Sequence, residues 1–140
     1  MILAFLALAF FGVHKVECVP APGSPVACIK AGLLDPAGQK GLPDGTDGIN
    51  AMNAAGQMRY WIEVRNDGPR EVSGYEMRWS SLNAMREATE SVLLSYAPNQ
   101  AATENQSFNA VIVARRVGDA AASYSVEITR VRFADGTVWP

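Results

Sequence analysis

The chain has 140 residues, of which 49% are hydrophobic and 19% charged, and this composition suits one folded domain rather than a disordered segment. Lys and Arg number 12 against 14 Asp and Glu, which argues against a nucleic-acid binder because such proteins carry a clustered basic surplus. One His and two Cys leave few groups for zinc sites or histidine-dependent catalysis.

The amino-terminal segment is apolar and short. Ile2 to Val13 is a run of 12 apolar or small residues, whereas a membrane-spanning helix needs about 20. Such a run is typical of a secretory signal, although no Lys or Arg precedes it. We expect a signal peptide over 1–18, a Pro-rich spacer over 19–25, and a secreted or periplasmic product without a membrane span. A buried terminal helix is the alternative.

The two cysteines lie on either side of the spacer. If Cys18 stays in the mature chain, Cys18 and Cys28 are close enough in sequence to form a disulfide; if it is removed, Cys28 is a lone thiol. We expect neither to be catalytic or to bind metal, because Cys-x-x-Cys spacing is absent and the only histidine, His14, lies in the predicted leader.

Residues 26–140 are predicted to form a single β domain. Val26 to Leu34 is compatible with a first strand, and 35–56 reads as a long loop because it holds five of the 12 glycines. Met58 to Arg65 and Val72 to Trp79 both alternate apolar and polar residues. The apolar residues predicted to point inward are Tyr60, Ile62, Val64, Tyr75, Met77 and Trp79. Turn-forming residues separate these two segments, so they are expected to pair as an antiparallel hairpin.

The remaining chain predicts further strands with little helix. Asn83 to Ser91 is either one short helix capped by Asn83 or an irregular crossover. Val92 to Tyr96, Phe108 to Arg116 and Tyr124 to Phe133 follow as strands.

Within the last of these strands the apolar phase changes near Thr129. One extra residue there, a β-bulge, would bring the four apolar residues to the core side: Val126, Ile128, Val131 and Phe133. Six to eight short strands indicate an all-β, antiparallel β-sandwich, with an eight-stranded barrel as the alternative.

The segment from Met58 to Trp139 resembles the immunoglobulin-like or fibronectin-like sandwiches of secreted bacterial proteins, including FxLYD-type domains. The similar features are a strand ending in Asn66 to Gly68 (NDG), a strand start at Val72 to Tyr75 (VSGY) and the carboxyl-terminal Val131 to Trp139 (VRFADGTVW). The resemblance implies an immunoglobulin-like fold and a non-catalytic extracytoplasmic module.

Carboxylates and oxygen-rich turns are the other chemical candidates. On the predicted hairpin, Glu63 and Glu76 would lie close together, as glycosidase carboxylates do, but neighbouring arginines would lower their pKa values, the wrong direction for a general acid. Asp44 to Asn50 alternates oxygen donors with glycines but lacks the acids of a calcium-binding EF-hand, and turn formation explains it. We expect no metal and no cofactor.

Trp61 is the most suggestive residue for binding, because alternation places it opposite the predicted core. The other side chains of that face are Arg59, Glu63 and Arg65. An exposed Trp among charges would stack on a sugar ring or anchor a protein. The alternative is that the loop at 35–56 covers it through Leu42, Ile49 and Met52.

These patterns together predict a non-enzymatic, secreted or periplasmic module with an interaction or structural role. Its partner would be another protein or an extracellular glycan. A carbohydrate-binding module that uses an exposed Trp61 is the alternative function, and a small hydrolase that uses Glu63 and Glu76 is a third hypothesis.

Overall fold

A computed structural model of the chain describes residues 13–34, 42, 45–48, 55–118 and 121–140. Over these ranges the chain forms strands and no helix, so the predicted all-β class is confirmed. The described residues accordingly contain no helix that could cross a membrane. The strands are β1 (Val13–Val19), β2 (Val26–Leu34), β3 (Gln57–Asn66), β4 (Val72–Leu82), β5 (Ala88–Tyr96), β6 (Ser107–Arg115), β7 (Ser123–Phe133) and β8 (Val138–Trp139).

The strands follow the order β5-β4-β7-β1-β2-β3-β6, and β8 pairs with β7. Because β1 pairs with β2 through residues 13–16 and with β7 through residues 17–19, it belongs to two sheets. The first sheet contains β1, β2, β3 and β6; the second contains β5, β4, β7, β8 and the end of β1. The β1–β7 pair is parallel, so the fold is mixed rather than purely antiparallel.

The two ends of this strand order approach each other. Arg115 on β6 forms an ion pair with Glu90 on β5, and its guanidinium donates a hydrogen bond of 2.8 Å to the Ser91 carbonyl. The sheets therefore wrap nearly into a barrel, closed at this seam by side chains.

The expected hairpin between β3 and β4 is wrong. β3 pairs with β2 and β6, whereas β4 pairs with β5 and β7, so the intervening turn carries the chain between sheets. Asn66 holds this turn: its buried side-chain amide donates to the carbonyls of Arg70 (2.8 Å) and Ala102 (2.9 Å) and accepts from the Gly68 N–H (3.0 Å). Alternation in sequence indicates a strand's faces, but its pairing partner depends on such distant contacts.

The short helix allowed near residues 83–91 is also wrong, since this segment is a turn followed by β5. The side-chain oxygen of Asn83 accepts hydrogen bonds from the backbone N–H groups of Met85 (2.9 Å) and Glu87 (3.0 Å). Arg86 has a φ of 61°, which a helix does not allow. Asn83 thus caps a β-turn instead of a helix. Its sequence signal is ambiguous because turns and helix starts both offer free backbone N–H groups to such a side chain.

The predicted bulge in β7 is confirmed at Thr129. Glu76 of β4 lies opposite Arg130 while the next residue, Met77, lies opposite Ile128, which leaves Thr129 as the extra residue. All four apolar residues of the strand consequently face the core and are buried: Val126, Ile128, Val131 and Phe133.

One large apolar core fills the space between the sheets. Tyr60 and Trp79 contact edge to face at 5.0 Å, and Tyr75 contacts Phe108 in the same way at 5.3 Å. Each large buried side chain contributes about 1.5–3 kcal/mol to the hydrophobic stabilisation of the fold. The residues predicted to point inward are all buried: Tyr60, Ile62, Val64, Tyr75, Met77, Trp79, Val126, Ile128 and Phe133.

β1 is part of this folded domain, which bears on the leader expected over 1–18. Val16 is 2% exposed in the core, and Cys18 forms a disulfide with Cys28, their Cα atoms 5.7 Å apart. Cleavage after Cys18 would remove most of β1 and half of that bond. Residues 1–12 lie outside the described part of the chain, and the leader expected over 1–18 stays a prediction.

Candidate functional site

Trp61 lies on the outer face of the first sheet, as alternation predicts, but it is only 7% exposed. It forms a small second core with Leu34 and Val111, and Leu42 packs against this cluster. Leu42, within the segment 35–56, therefore packs over the indole, and the exposed Trp61 of the sugar-binding hypothesis is wrong. Ile49 and Met52, the other expected covering residues, lie outside the described residues.

The covering loop is attached to the free edge of β6 at Asp47. The Asp47 N–H donates to the Asn109 carbonyl (3.0 Å), and its carbonyl accepts from the Val111 N–H (2.8 Å). Gly48 follows with a φ of +73°, and a Cβ there would lie 2.3 Å from the Val111 carbonyl oxygen. Only glycine fits this contact, which explains part of the Gly-rich composition.

The Asp47 carboxylate serves the same attachment. It accepts hydrogen bonds from the Tyr96 hydroxyl (3.0 Å) and the Gly48 N–H (2.9 Å). Burial of Tyr96 and this hydrogen bond to Asp47 raise the pKa of the phenol. The described residues contain no group of three His, Cys, Asp or Glu side chains placed to hold a metal. Asp44 and Asn50 of the calcium-like run lie outside them.

The charged residues predicted beside Trp61 are brought to one face but not to one open site. Arg59 is buried, Glu63 is partly buried and Arg65 is exposed. Arg65 pairs with Asp67 at 2.5 Å, and this interaction raises the pKa of the guanidinium. The face is therefore covered at Trp61 and Arg59, and only its Arg65 end is fully open to solvent.

The two candidate catalytic carboxylates are far apart in the fold. Glu63 lies opposite Lys30 on the first sheet, and Glu76 lies opposite Arg130 on the second. Because each is on the outer face of its own sheet, the two point to opposite sides of the molecule. A glycosidase needs both carboxylates at one bond, so the predicted proximity is wrong.

A groove that the sequence analysis did not single out lies on the outer face of the second sheet. It has a volume of about 260 Å³, and Gly74 of β4 forms its floor. Ala97 lines it just after β5, and Val138 lines it on β8. Two arginines of β7 and one glutamate of β4 also line it: Arg130, Arg132 and Glu76. We call this feature the Gly74 groove.

Two β-bulges bracket the Gly74 groove. One is Ser73 in β4, because Val72 and Gly74 lie opposite the consecutive residues Phe133 and Arg132; the other is Thr129 in β7. Bulges bend strands and redirect side chains, and they are frequent beside binding sites. A glycine inside a strand often marks a close approach; here a Cβ on Gly74 would lie 3.1 Å from the Tyr96 carbonyl oxygen.

The glutamate of the groove has a hydrogen-bond partner, whereas its two arginines have no ion-pair partner among the described residues. The Glu76 carboxylate accepts a hydrogen bond from the Thr129 hydroxyl at 2.9 Å. Arg130 and Arg132 are exposed, and within the described ranges neither forms an ion pair with a carboxylate. Two sequence signals for the groove were available: the phase change at Thr129 and the glycine within β4. The arginines, however, lie beside Gly74 only because of the register between β4 and β7.

A larger recess of about 730 Å³ lies where β1 passes from the first sheet to the second. Lys15 and Lys30 line it beside Trp61, but Glu17 and Arg86, which also line it, form an ion pair with each other. Its charges are of both signs and partly neutralised. The Gly74 groove, with two unpaired arginines, is therefore the stronger candidate site.

Comparison with known proteins adds no relative to this geometry: the chain matches no protein-family model, no curated protein and no solved structure.

Proposed function

We propose that this protein is a non-enzymatic, secreted or periplasmic domain that acts as an interaction or structural module. The observation that carries the proposal is the Cys18–Cys28 disulfide, which uses both cysteines of the chain. Disulfides persist mainly outside the reducing cytosol. The bond therefore supports export, in agreement with the apolar run from Ile2 to Val13.

The non-enzymatic part of the proposal is supported by the placement of the carboxylates. Glu63 and Glu76 face opposite sides of the fold. The pKa of Asp135 is lowered to about 2, mainly by hydrogen bonds that the side chain and backbone N–H of Thr137 donate to the carboxylate, and to a smaller extent by one from Arg70. A general acid at neutral pH needs a raised carboxyl pKa, so this strongly shifted carboxyl group stabilises a turn instead.

The interaction role is supported by the Gly74 groove, which combines an apolar floor with unpaired arginines, as many protein interfaces do. The resemblance to FxLYD-type modules favours the same role and stays a prediction. Sugar binding through Trp61 is not proposed, because the indole is buried beneath Leu42.

Export and the disulfide are tested together on the full chain, expressed in an export-competent bacterial host. We expect the protein in the periplasm or medium, without Met1 but with Cys18 retained, and with an intact mass that rises by two hydrogens on reduction. The matched control is Leu6→Arg, which interrupts the apolar run and should hold the protein in the cytoplasm. A wild-type protein that stays cytoplasmic, with Met1 and two free thiols, would overturn the proposal.

A further inference from the structure

We propose that the Gly74 groove binds an extended acidic segment of a partner protein. In this complex a carboxylate of the segment pairs with Arg130 and Arg132, and a neighbouring small apolar side chain lies on Gly74 between Ala97 and Val138. The inference rests on the proposed interaction function and specifies its partner.

The shape of the groove favours a small apolar side chain. Gly74 adds no side chain to the groove, but the wall beside it is close: a Cβ at that position would lie 3.1 Å from the Tyr96 carbonyl oxygen and 3.6 Å from the Ala97 Cβ. A large side chain therefore does not fit against this glycine, whereas a small one can lie beside it. Val138, on the other side, is 42% exposed. An apolar group that enters this space removes Val138 from water without displacing a packed side chain.

The outer face of the second sheet carries two exposed large hydrophobic side chains. Among the described residues, the large hydrophobic side chains that are exposed are Met85, Leu93 and Val138. Val138 lines the groove, and Leu93 lies opposite Arg78 on the same outer face. Exposed apolar side chains beside arginines are typical of protein-binding surfaces.

The charge of the groove favours an acidic partner. Arg130 and Arg132 against Glu76 leave one net positive charge in the groove, although the chain as a whole has a charge of −2. Guanidinium groups bind carboxylates through paired, directional hydrogen bonds. Glu76 repels a second carboxylate on its own side, so we expect the acidic group on the Arg132 side of the groove.

A glycan fits the groove less well than a peptide. Sugar recognition commonly uses an exposed aromatic face, but the aromatic residues beside the groove are turned away from it. Tyr75 is buried in the core, and the Tyr96 hydroxyl is bonded to Asp47.

The probe for this inference is an array of extended peptides in which Asp or Glu is followed by Ala, Val or Leu, each with an Asn or Gln counterpart. We expect acidic members to bind the wild-type chain. Replacement of Arg130 and Arg132 together by Gln, or of the peptide carboxylate by its amide, should weaken binding by about tenfold or more, as for hydrogen bonds to charged groups. The control Arg78→Gln, on the same face outside the groove, should bind within about twofold of wild type.

Amide chemical shifts of the full chain locate the bound peptide. We expect changes at Gly74, Ala97 and Val138, and weaker binding by Val138→Asp, whose exposed position should tolerate the substitution. Absence of peptide binding, binding insensitive to the arginine variants, or shift changes confined to the first sheet would each refute the inference. Inorganic phosphate that shifts the same amides when no peptide does would also refute it. An exported, disulfide-bonded protein that fails this test would leave the proposed function standing and remove only its acidic partner.

Discussion

Single residues attach the covering loop to the β6 edge, and Gly48 shows how. Its positive φ and its position against the Val111 carbonyl leave no space for a side chain. The neighbouring Gly45 also has a positive φ, +83°, but a Cβ there would meet nothing within 4 Å. The two glycines therefore separate the cost of backbone conformation from the cost of a steric clash.

We predict that Gly48→Ala destabilises the protein more than Gly45→Ala does. Both changes incur the left-handed backbone penalty of about 1–2 kcal/mol, but only Gly48→Ala pushes Asp47 away from β6. Urea unfolding measures the stability difference, and hydrogen exchange of the Val111 amide, which bonds to Asp47, should quicken only in Gly48→Ala. Equal effects of the two substitutions would contradict the proposed attachment.

Asp135 gives a residue-scale prediction for acid stability. Its pKa falls from 3.8 to about 2 because Thr137 donates hydrogen bonds to the carboxylate and Arg70 makes a smaller contribution of the same kind. The unfolded chain therefore binds more protons than the folded chain between these pH values, and stability must decrease as the pH falls.

We expect the wild type to lose stability between about pH 4 and pH 2 more steeply than Asp135→Asn, which cannot titrate there. Denaturant unfolding at a series of pH values measures both slopes. Parallel slopes would show that Asp135 has an ordinary pKa, and the variant Glu71→Gln, at an exposed carboxylate, controls for general charge removal.

At the scale of elements, β1 is the strand that takes part in both sheets. It pairs with β2 along its first half and with β7 along its second, and Cys18 bonds it covalently to β2. The disulfide spans a sequence separation of 10 residues. Loop-closure entropy for a loop of this length predicts a stabilisation of about 2–3 kcal/mol.

Replacement of Cys18 and Cys28 together by Ala should therefore lower the free energy of unfolding by about 2–3 kcal/mol. Urea titrations with and without reductant provide the measurement. Reductant should destabilise the wild type and leave the double variant unchanged. Were the wild type indifferent to reductant, the bond would contribute nothing to the fold.

At the scale of the whole molecule, local sequence patterns predicted which face of a strand is buried better than they predicted which strands pair. Alternation placed Tyr60 and Trp79 in the core, and the phase change in β7 located the bulge at Thr129, because both signals depend on adjacent residues. Pairing of β3 with β4 was wrong, since the turn after Asn66 is fixed by contacts with Ala102, distant in sequence. Asn83 misled in another way: its capping chemistry serves helices and turns alike.

The same distinction between local patterns and long-range contacts decides which features of the candidate site were predictable. The face of Trp61 was predictable from alternation, but its burial depends on Leu42, which lies in a loop without periodicity. The Gly74 groove required the register between β4 and β7, which brings Arg132 opposite Gly74. Register across a sheet depends on long-range contacts, which a local sequence pattern does not contain.

The seam between β5 and β6 has a consequence for association between copies of the chain. An open sheet exposes strand edges that can pair with another molecule and seed fibrils. Here the outermost strands turn toward one another, with Arg115 bonded to Glu90 at one place and Tyr96 bonded to Asp47 at another. A strand from a second molecule would have to displace these contacts, so they oppose strand addition at the β5 and β6 edges.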